Sequence, residues 1–424
     1  MANITGTANN DILNAVDSFN TITGLAGDDT LTGNSAANTL DGGTGADTML
    51  GGGGDDIYIV DDANDVVQEP DAITTLMAVD TPTNGQITGY TESPVKGISA
   101  DGSKVLFSSG AFGSTGNPDV YLKDLDSGAL TCVSVGSNGV AGDGYSFAEA
   151  LSADGVQAIF SSDSTNLVAN DTNGVEDVFA TLPGTGINTR ISVDSLGNQA
   201  DGDSSALAIS RDGRYVIFAS NANNLVLDDT NKESDLFMHD MQTGITSRIS
   251  VDSSGNESDG SVLSYGADIS ADGRYVVFTS SASNLVSGIT DKSTMKVFIR
   301  DLQLGTTKLI SANPAGEVGN NHSALPSLSP DGKYVVFVSL ASDLVSGDTN
   351  NMADVFVYSV ATGEIKRVSV SASGIQGDAD SGNGNNKPVF SPDGNYILFY
   401  SDASNLVSGD TNGFTDVFVT PVPF

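Results

Sequence analysis

The sequence predicts an all-β protein in which a nine-residue repeat precedes a β-propeller of six blades. Three observations predict it. Residues 6–59 divide into six consecutive nonapeptides, residues 74–424 carry a unit of about sixty residues six times, and neither region has the apolar spacing of a helix. Composition agrees with a layered β core, since 49 of 424 residues are glycine, tryptophan is absent and 38% are apolar. The net charge of −37 excludes nucleic acid as a partner, because phosphate backbones would be repelled. No run approaches the roughly 18 apolar residues of a membrane-spanning helix, so no transmembrane segment is expected. The start, Met1-Ala2-Asn3-Ile4-Thr5, has neither a basic nor an apolar stretch, and no Sec-type signal peptide is read there. A single cysteine, Cys132, excludes an intramolecular disulfide. Acidity of this size serves solubility if the acids are scattered and divalent-cation binding if they are placed.

They are placed. The sixth residue of each nonapeptide is an acid or amide (Asp11, Asn20, Asp29, Asn38, Asp47, Asp56), and the eighth is aliphatic or aromatic (Leu13, Ile22, Leu31, Leu40, Met49, Tyr58). The eighth residues are expected to supply one inward side chain per short strand. The units GGTGADTML at 42–50 and GGGGDDIYI at 51–59, with the trailing YIVDDANDVVQE at 58–69, resemble the RTX, or hemolysin-type, calcium-binding nonapeptide repeats. The resemblance implies a short parallel β-roll over residues 1–70, two nonapeptides per turn, and Ca2+ as the bound cofactor. Calcium takes roughly six to eight oxygens, which aspartates and the carbonyls of bent, glycine-rich loops provide. The positions implied are Asp11, Gly24, Gly27, Asp29, Gly42, Gly43, Gly45, Asp47, Gly51, Gly52, Gly54 and Asp56. Two units per turn stack Asp11, Asp29 and Asp47 on one side, and Asn20, Asn38 and Asp56 on the other. The loops AVDSFN and GNSAAN on the second side have lost most glycines, so strong sites are expected on the first side and weak or empty ones on the second until Asp56. No Lys or Arg precedes Lys96, so the stacked carboxylates would repel one another without a metal. The segment is expected to be disordered without calcium.

In the longer repeat, a Ser-x-Asp-Gly turn recurs at Ser99, Ser152, Ser210, Ser270, Ser329 and Ser391. Each turn leads into a strand ending in Phe (Phe107, Phe160, Phe218, Phe278, Phe337, Phe399), and the next strand carries a second aromatic (Tyr121, Phe179, Phe237, Phe298, Phe356, Phe418). A fourth strand follows, as in ISVD at 191–194 and 249–252. Four short strands with tight turns make a propeller blade. The chain stops three strands into the sixth unit, while TTLMAVD at 74–80 reads as an isolated fourth strand. The expected closure therefore puts residues 74–80 on the last blade of a domain spanning 71–424. The segments SPDGKYVVFVS (329–339) and SPDGNYILFYS (391–401) resemble the repeats of TolB-like β-propellers, which implies the fold and little about activity.

The long polar loops, such as 195–206, 371–388 and the second-to-third connections, fall on one rim, the candidate binding face. Asp-Thr-Asn followed four residues on by Asp recurs there, as Asp171/Asn173/Asp177, Asp229/Asn231/Asp235, Asp348/Asn350/Asp354 and Asp410/Asn412/Asp416. Two acids and an amide at this spacing suit a calcium ion, or else each aspartate caps its own loop. The fourth unit carries Thr290, Lys292 and Lys296 instead. Lysines would supply covalently attached charge in place of a cation, which favours the metal reading. Lys123 and Arg300 hold the place of His239 in other units, so His239 is expected to be exposed. Cys132 stands where Arg190, Arg248 and Arg367 stand, an expected exposed bystander. His322 lies in a rim loop without an evident partner base.

No Gly-x-Ser-x-Gly, His-Glu-x-x-His or phosphate-binding loop occurs, so no catalytic residue is assigned. Two function classes remain. One is a calcium-stabilised, non-enzymatic extracellular or cell-surface protein. Its propeller would bind proteins or surface polysaccharide, or assemble with copies of itself into an oligomer or filament. The other is an extracellular carbohydrate-active lyase or hydrolase using rim carboxylates. The RTX resemblance implies type I secretion from a bacterial cell.

Overall fold

The computed structural model describes residues 2–15, 20–34, 38–52, 57–59, 65–68, 79–80, 85–86, 96–110, 117–382, 387–407, 410 and 413–424. The chain divides into two compact units, Met1–Val79 and Asp80–Phe424. Among the described residues every regular element is a strand, and no helix is long and apolar enough to cross a membrane.

The first unit contains β1 (Ala2–Thr5), β2 (Ile12–Asn14), β3 (Asn20–Thr23), β4 (Thr30–Asn34), β5 (Thr39–Asp41), β6 (Thr48–Gly52), β7 (Ile57–Ile59) and β8 (Val66–Gln68). They form two parallel sheets, β1-β3-β5-β7 and β2-β4-β6-β8. Each strand pairs with the one two nonapeptides away: Ile22 lies between Ile4 and Leu40, and Leu31 between Leu13 and Met49. The nine-residue period therefore makes half a turn of a roll. Its core is the column of eighth residues, with Ile22, Leu31, Leu40 and Met49 fully buried and Ile4 and Leu13 packed against them. A seventh unit extends the roll beyond the six read from the sequence, since β8 pairs with β6 through Thr48 and Val66. Residues 60–68 keep an acid at the sixth place, Asp65, and an aliphatic at the eighth, Val67, but have no glycine.

The second unit carries six consecutive antiparallel sheets, over residues 97–132, 146–190, 204–248, 262–309, 323–367 and 389–421. Among the described residues the first five have four strands and the sixth has three. The recurrent Ser-x-Asp-Gly is the first turn of each sheet. Ser210 Oγ donates to Asp212 (2.6 Å) and accepts the Tyr215 N–H (2.9 Å), and Gly213 sits at φ 75°, a region that disfavours side chains. The strand after the turn runs two residues past its Phe, and that Phe pairs with the second aromatic across the ladder. Ring centroids are 5.6 Å apart for Phe218–Phe237 and for Phe278–Phe298. Each sheet buries its outer half against the next one. Ile159, Val178, Ala180 and Ile191 of the second sheet pack on Val216, Phe218 and Phe237 of the third. The ends of the inner strands converge on one cavity of about 360 Å³ that all six sheets line, among them Ile98, Leu151, Ile209, Ile269, Leu328 and Pro392.

The sixth sheet differs. Its third strand, Asp416–Pro421, is the sheet edge among the described residues, and Val417 and Val419 are 58% and 59% exposed where their counterparts Val178 and Ala180 are 0% and 2%. The strand expected to cover it ends in Val79–Asp80, which pairs with Gly85–Gln86, while residues 74–78 lie outside the described residues.

Removing a ring from a packed pair should cost more than removing one at this edge. Phe237→Ala is expected to destabilise the second unit by about 3–5 kcal/mol through transfer and cavity terms. Phe418→Ala should cost less, because Phe418 is only half-buried; urea denaturation of the two variants measures the order.

Candidate metal centre and acidic rim

On the first side of the roll the sixth-place aspartates form a ladder. The Asp11 N–H donates to Asp29 Oδ1 (2.7 Å), the Asp29 N–H to Asp47 Oδ1 (2.7 Å) and the Asp47 N–H to Asp65 Oδ1 (3.0 Å). Asp29 and Asp47 are 2% and 0% exposed, and Asp29 Oδ2 is a buried atom with no hydrogen-bond partner. A buried carboxylate oxygen left so is costly unless a positive charge meets it, and no Lys or Arg occurs in residues 1–95. The glycines leave room for that arrangement. A Cβ at Gly24 or Gly42 would overlap the Asp29 or Asp47 carboxylate, and Gly27, Gly43 and Gly45 lie at φ 107°, 79° and 142°. The loops stack directly, with Thr44 bonded to Gly27 (2.9 Å) and to Leu25 (3.0 Å).

This donor set fits calcium. Asp11, Asp29 and Asp47 with the carbonyls of their glycine loops would hold it, and the ion would supply the charge that lets the turns stack. Of the other expected positions, Gly51 is buried beneath Gly33, where a Cβ would overlap the Gly51 carbonyl, and Gly52 ends β6. Gly54 and Asp56 lie outside the described residues, as do 16–19 and 35–37 of the second side, where Asn38 is buried. Asp65 joins the ladder without having been expected. Counting nine from Asp56 finds it; searching for glycines does not.

The rim motif has a different anatomy. In the second sheet Arg190 lies between the two acids, 2.9 Å from Asp171 and 3.2 Å from Asp177. Arg248 pairs with Asp229 (3.2 Å), Asp235 (3.1 Å) and Glu257 (3.0 Å), and Arg367 with Asp348 and Asp354 (both 3.2 Å). The amide turns its NH2 toward the second acid, Asn231 to Asp235 at 2.8 Å, and also donates to the next loop at Ser258 O (3.0 Å). Asn173 and Asn350 do the same at Asp177 and Asp354. The other oxygen of each second acid takes a hydroxyl from two residues past the fourth strand, Ser192, Ser250 or Ser369. A guanidinium therefore lies between the acids of these three loops, at the place that one of the two readings gave to a calcium ion. Burial raises the pKa of Asp235, with Ser250, Asn231 and Arg248 offsetting part of the effect.

The signal was legible in the fourth strands. Arg190, Arg248 and Arg367 sit across the ladder from Phe179, Phe237 and Phe356. In the fourth sheet Leu309 takes that place and Lys296 replaces the second acid, fully buried, with its ammonium donating to Thr294 O (2.7 Å). Acids and arginine are lost together. In the sixth sheet Asp410 and Asp416 remain, Asn412 lies outside the described residues, and no fourth strand occurs among the described residues to bring an arginine.

Two expectations are corrected. His239 is 5% exposed, not a surface residue, because the adjoining sheet covers it; its Nδ1 lies 2.9 Å from Thr246 Oγ1, and burial lowers its pKa. Cys132 is half-buried rather than exposed, and burial raises its thiol pKa, which disfavours a nucleophilic thiolate. His322 Nδ1 accepts the Met295 N–H (3.0 Å), the place at which Asp203 and Asp380 accept from Glu176 and Ala353. One carboxyl stands apart. Glu149, at the bulge between Ala148 and Ala150, is raised to about 7 by burial, partly offset by Lys96 at 3.5 Å and reinforced by Glu176.

Residues 5–36 and 32–67 match the family model of the RTX calcium-binding nonapeptide repeat, so the first unit carries calcium-binding repeats. No curated protein matches the chain. Among solved structures it is similar to a protein assigned as TolB from Agrobacterium tumefaciens, at 18% identity over 78% of this chain and 90% of that one with a TM-score of 0.43. TolB from Acinetobacter baumannii is similar at 20% identity, over 64% and 53% of the two chains, with a TM-score of 0.38. An oligogalacturonate lyase in complex with manganese is similar at 16%, over 78% and 88%, with a TM-score of 0.34.

Arg248→Leu should strand two buried acids and destabilise the third sheet by about 3–5 kcal/mol, and adding Asp229→Asn and Asp235→Asn should recover most of that loss in thermal melts. Glu149 gives a pH test. Its folded pKa lies above the unfolded 4.5, so its contribution to stability is complete at low pH and lost as pH rises from about 4.5 to about 7. The melting temperature of Glu149→Gln minus that of wild type should therefore grow over that window.

Proposed function

We propose that this is a secreted bacterial protein whose amino-terminal roll folds on calcium outside the cell and whose second unit is a non-enzymatic binding domain. One observation carries the reading: a column of buried aspartates in a segment with no cation of its own. Extracellular modules bind calcium with dissociation constants of about 10⁻⁴–10⁻³ M, so a roll of this kind stays unfolded in the cytosol and orders after export. RTX repeats typify secreted proteins, which supports an extracellular or cell-surface location and type I secretion. The rim loops, three of them tied by an arginine between two acids, form the face for a protein or surface-polysaccharide partner, and the roll's open ends suit assembly with further copies.

The second unit is proposed to be a six-bladed propeller closed by residues 74–80. Supporting this, the pair Val79–Asp80 with Gly85–Gln86 falls where the other sheets have a corner bridge after their fourth strand, as in Val193–Gln199 and Val251–Glu257. The carbohydrate-active alternative rests on Glu149, the carboxyl poised near neutrality.

The test is calcium titration of the intact chain, followed by circular dichroism and particle size. Calcium should increase the β signal, chelator should remove that increment, and Asp29→Asn with Asp47→Asn should shift the midpoint to higher calcium. An identical spectrum in chelator would overturn the reading. A Thr75→Cys, Val419→Cys pair in a Cys132→Ser background should crosslink within one chain if the closure is right.

A further inference from the structure

A groove of about 720 Å³ lies between the second and third sheets, lined among others by Val193, Asp194, Ser195, His239 and Thr243. The next interface, between the third and fourth sheets, is built from the same positions with one change. There Thr307 donates to Val251 O (2.6 Å) and bonds Ser253 through its N–H (3.0 Å). Here Thr246 donates to Val193 O (2.5 Å) and bonds Ser195 the same way (3.1 Å). The side chain paired across from Thr307 is Arg300, and the one paired across from Thr246 is His239. Arg300 donates from Nη1 to Thr307 Oγ1 (2.9 Å), Asp252 O (3.1 Å) and Val251 O (3.4 Å). The carbonyls of Val193 and Asp194 hold the corresponding places beside His239, and both line the groove.

The hydrogen bonds fix the imidazole. Thr246 gives its single hydroxyl proton to Val193 O, so it accepts from His239 Nδ1, and Nε2 carries a lone pair. Burial keeps the ring neutral by lowering its pKa. At this end the groove has His239 Nε2 and the second lone pairs of two carbonyls as acceptors. The lining also includes the Asp194 side chain and Arg190, whose charge is already met by Asp171 and Asp177.

We propose that the groove between the second and third sheets is a guanidinium site, which takes an arginine side chain or a small guanidinium compound in the place that Arg300 fills within the neighbouring interface. A planar guanidinium matches several acceptors at once, which an ammonium or a sugar hydroxyl does not.

Titrating the intact protein with agmatine, while following the histidine ring nitrogens by NMR, tests this independently of calcium binding by the roll. Saturable movement of the His239 Nε2 resonance is expected, with none of comparable size for butylurea, a neutral planar analogue, or for galactose. His239→Arg should supply the guanidinium in cis, weaken agmatine binding by about tenfold or more, and leave the melting temperature unchanged or higher. No movement of His239, equal binding of butylurea or galactose, or a folded His239→Arg that binds agmatine as tightly as wild type would each overturn the assignment. The wild-type resonance keeps the test decisive even if that variant misfolds.

Discussion

A carboxylate taken out of water must meet a positive charge or a set of donors, and most of this protein's construction follows from that demand. Its 54 acids outnumber 17 cations, and many of them are inside. The two units answer differently. The roll has no basic residue, so its aspartates take backbone N–H groups, and Asp29 keeps a buried oxygen for a divalent ion. The second unit spends three of its few arginines on the acid pairs of the second, third and fifth sheets. Calcium is thus external to one unit's fold, while the other carries its counter-charges in the chain.

The sheet repeat acts as its own series of variants. Where both acids are present with a fourth strand, an arginine stands opposite the second aromatic. Where Lys296 replaces the acid, Leu309 replaces the arginine. The same reasoning at the neighbouring position compares His239 with Arg300 and shows what an interface looks like with and without its guanidinium. Six imperfect copies let one copy's side chain be compared with its replacement in another.

Periodicity made most of the fold legible. A nine-residue period with one inward side chain per unit translates directly into parallel strands two units apart, as Ile22 and Leu40 demonstrate. The paired aromatics likewise announced the central ladder of each sheet. Less legible was whatever depends on partners distant in sequence. Asp177 and Arg190 lie 13 residues apart on adjacent strands, and a motif search within one loop sees the acids without their arginine. His239 was misread because its neighbours in other units are charged; burial there comes from the adjoining sheet, which a single unit does not reveal. Asp65 is legible only through acid spacing, because residues 60–68 contain no glycine.

The aspartate ladder also has a direction. Each sixth-place carboxylate receives the N–H of the turn before it, while the Asp28 N–H donates back to Asn10 Oδ1 (2.9 Å) and the Ala46 N–H back to Asp28 Oδ1 (3.0 Å), so neighbouring turns are tied in both directions. A fault at Asp47 therefore removes the acceptor of the Asp29 N–H and leaves the return bond from Ala46 to Asp28 in place.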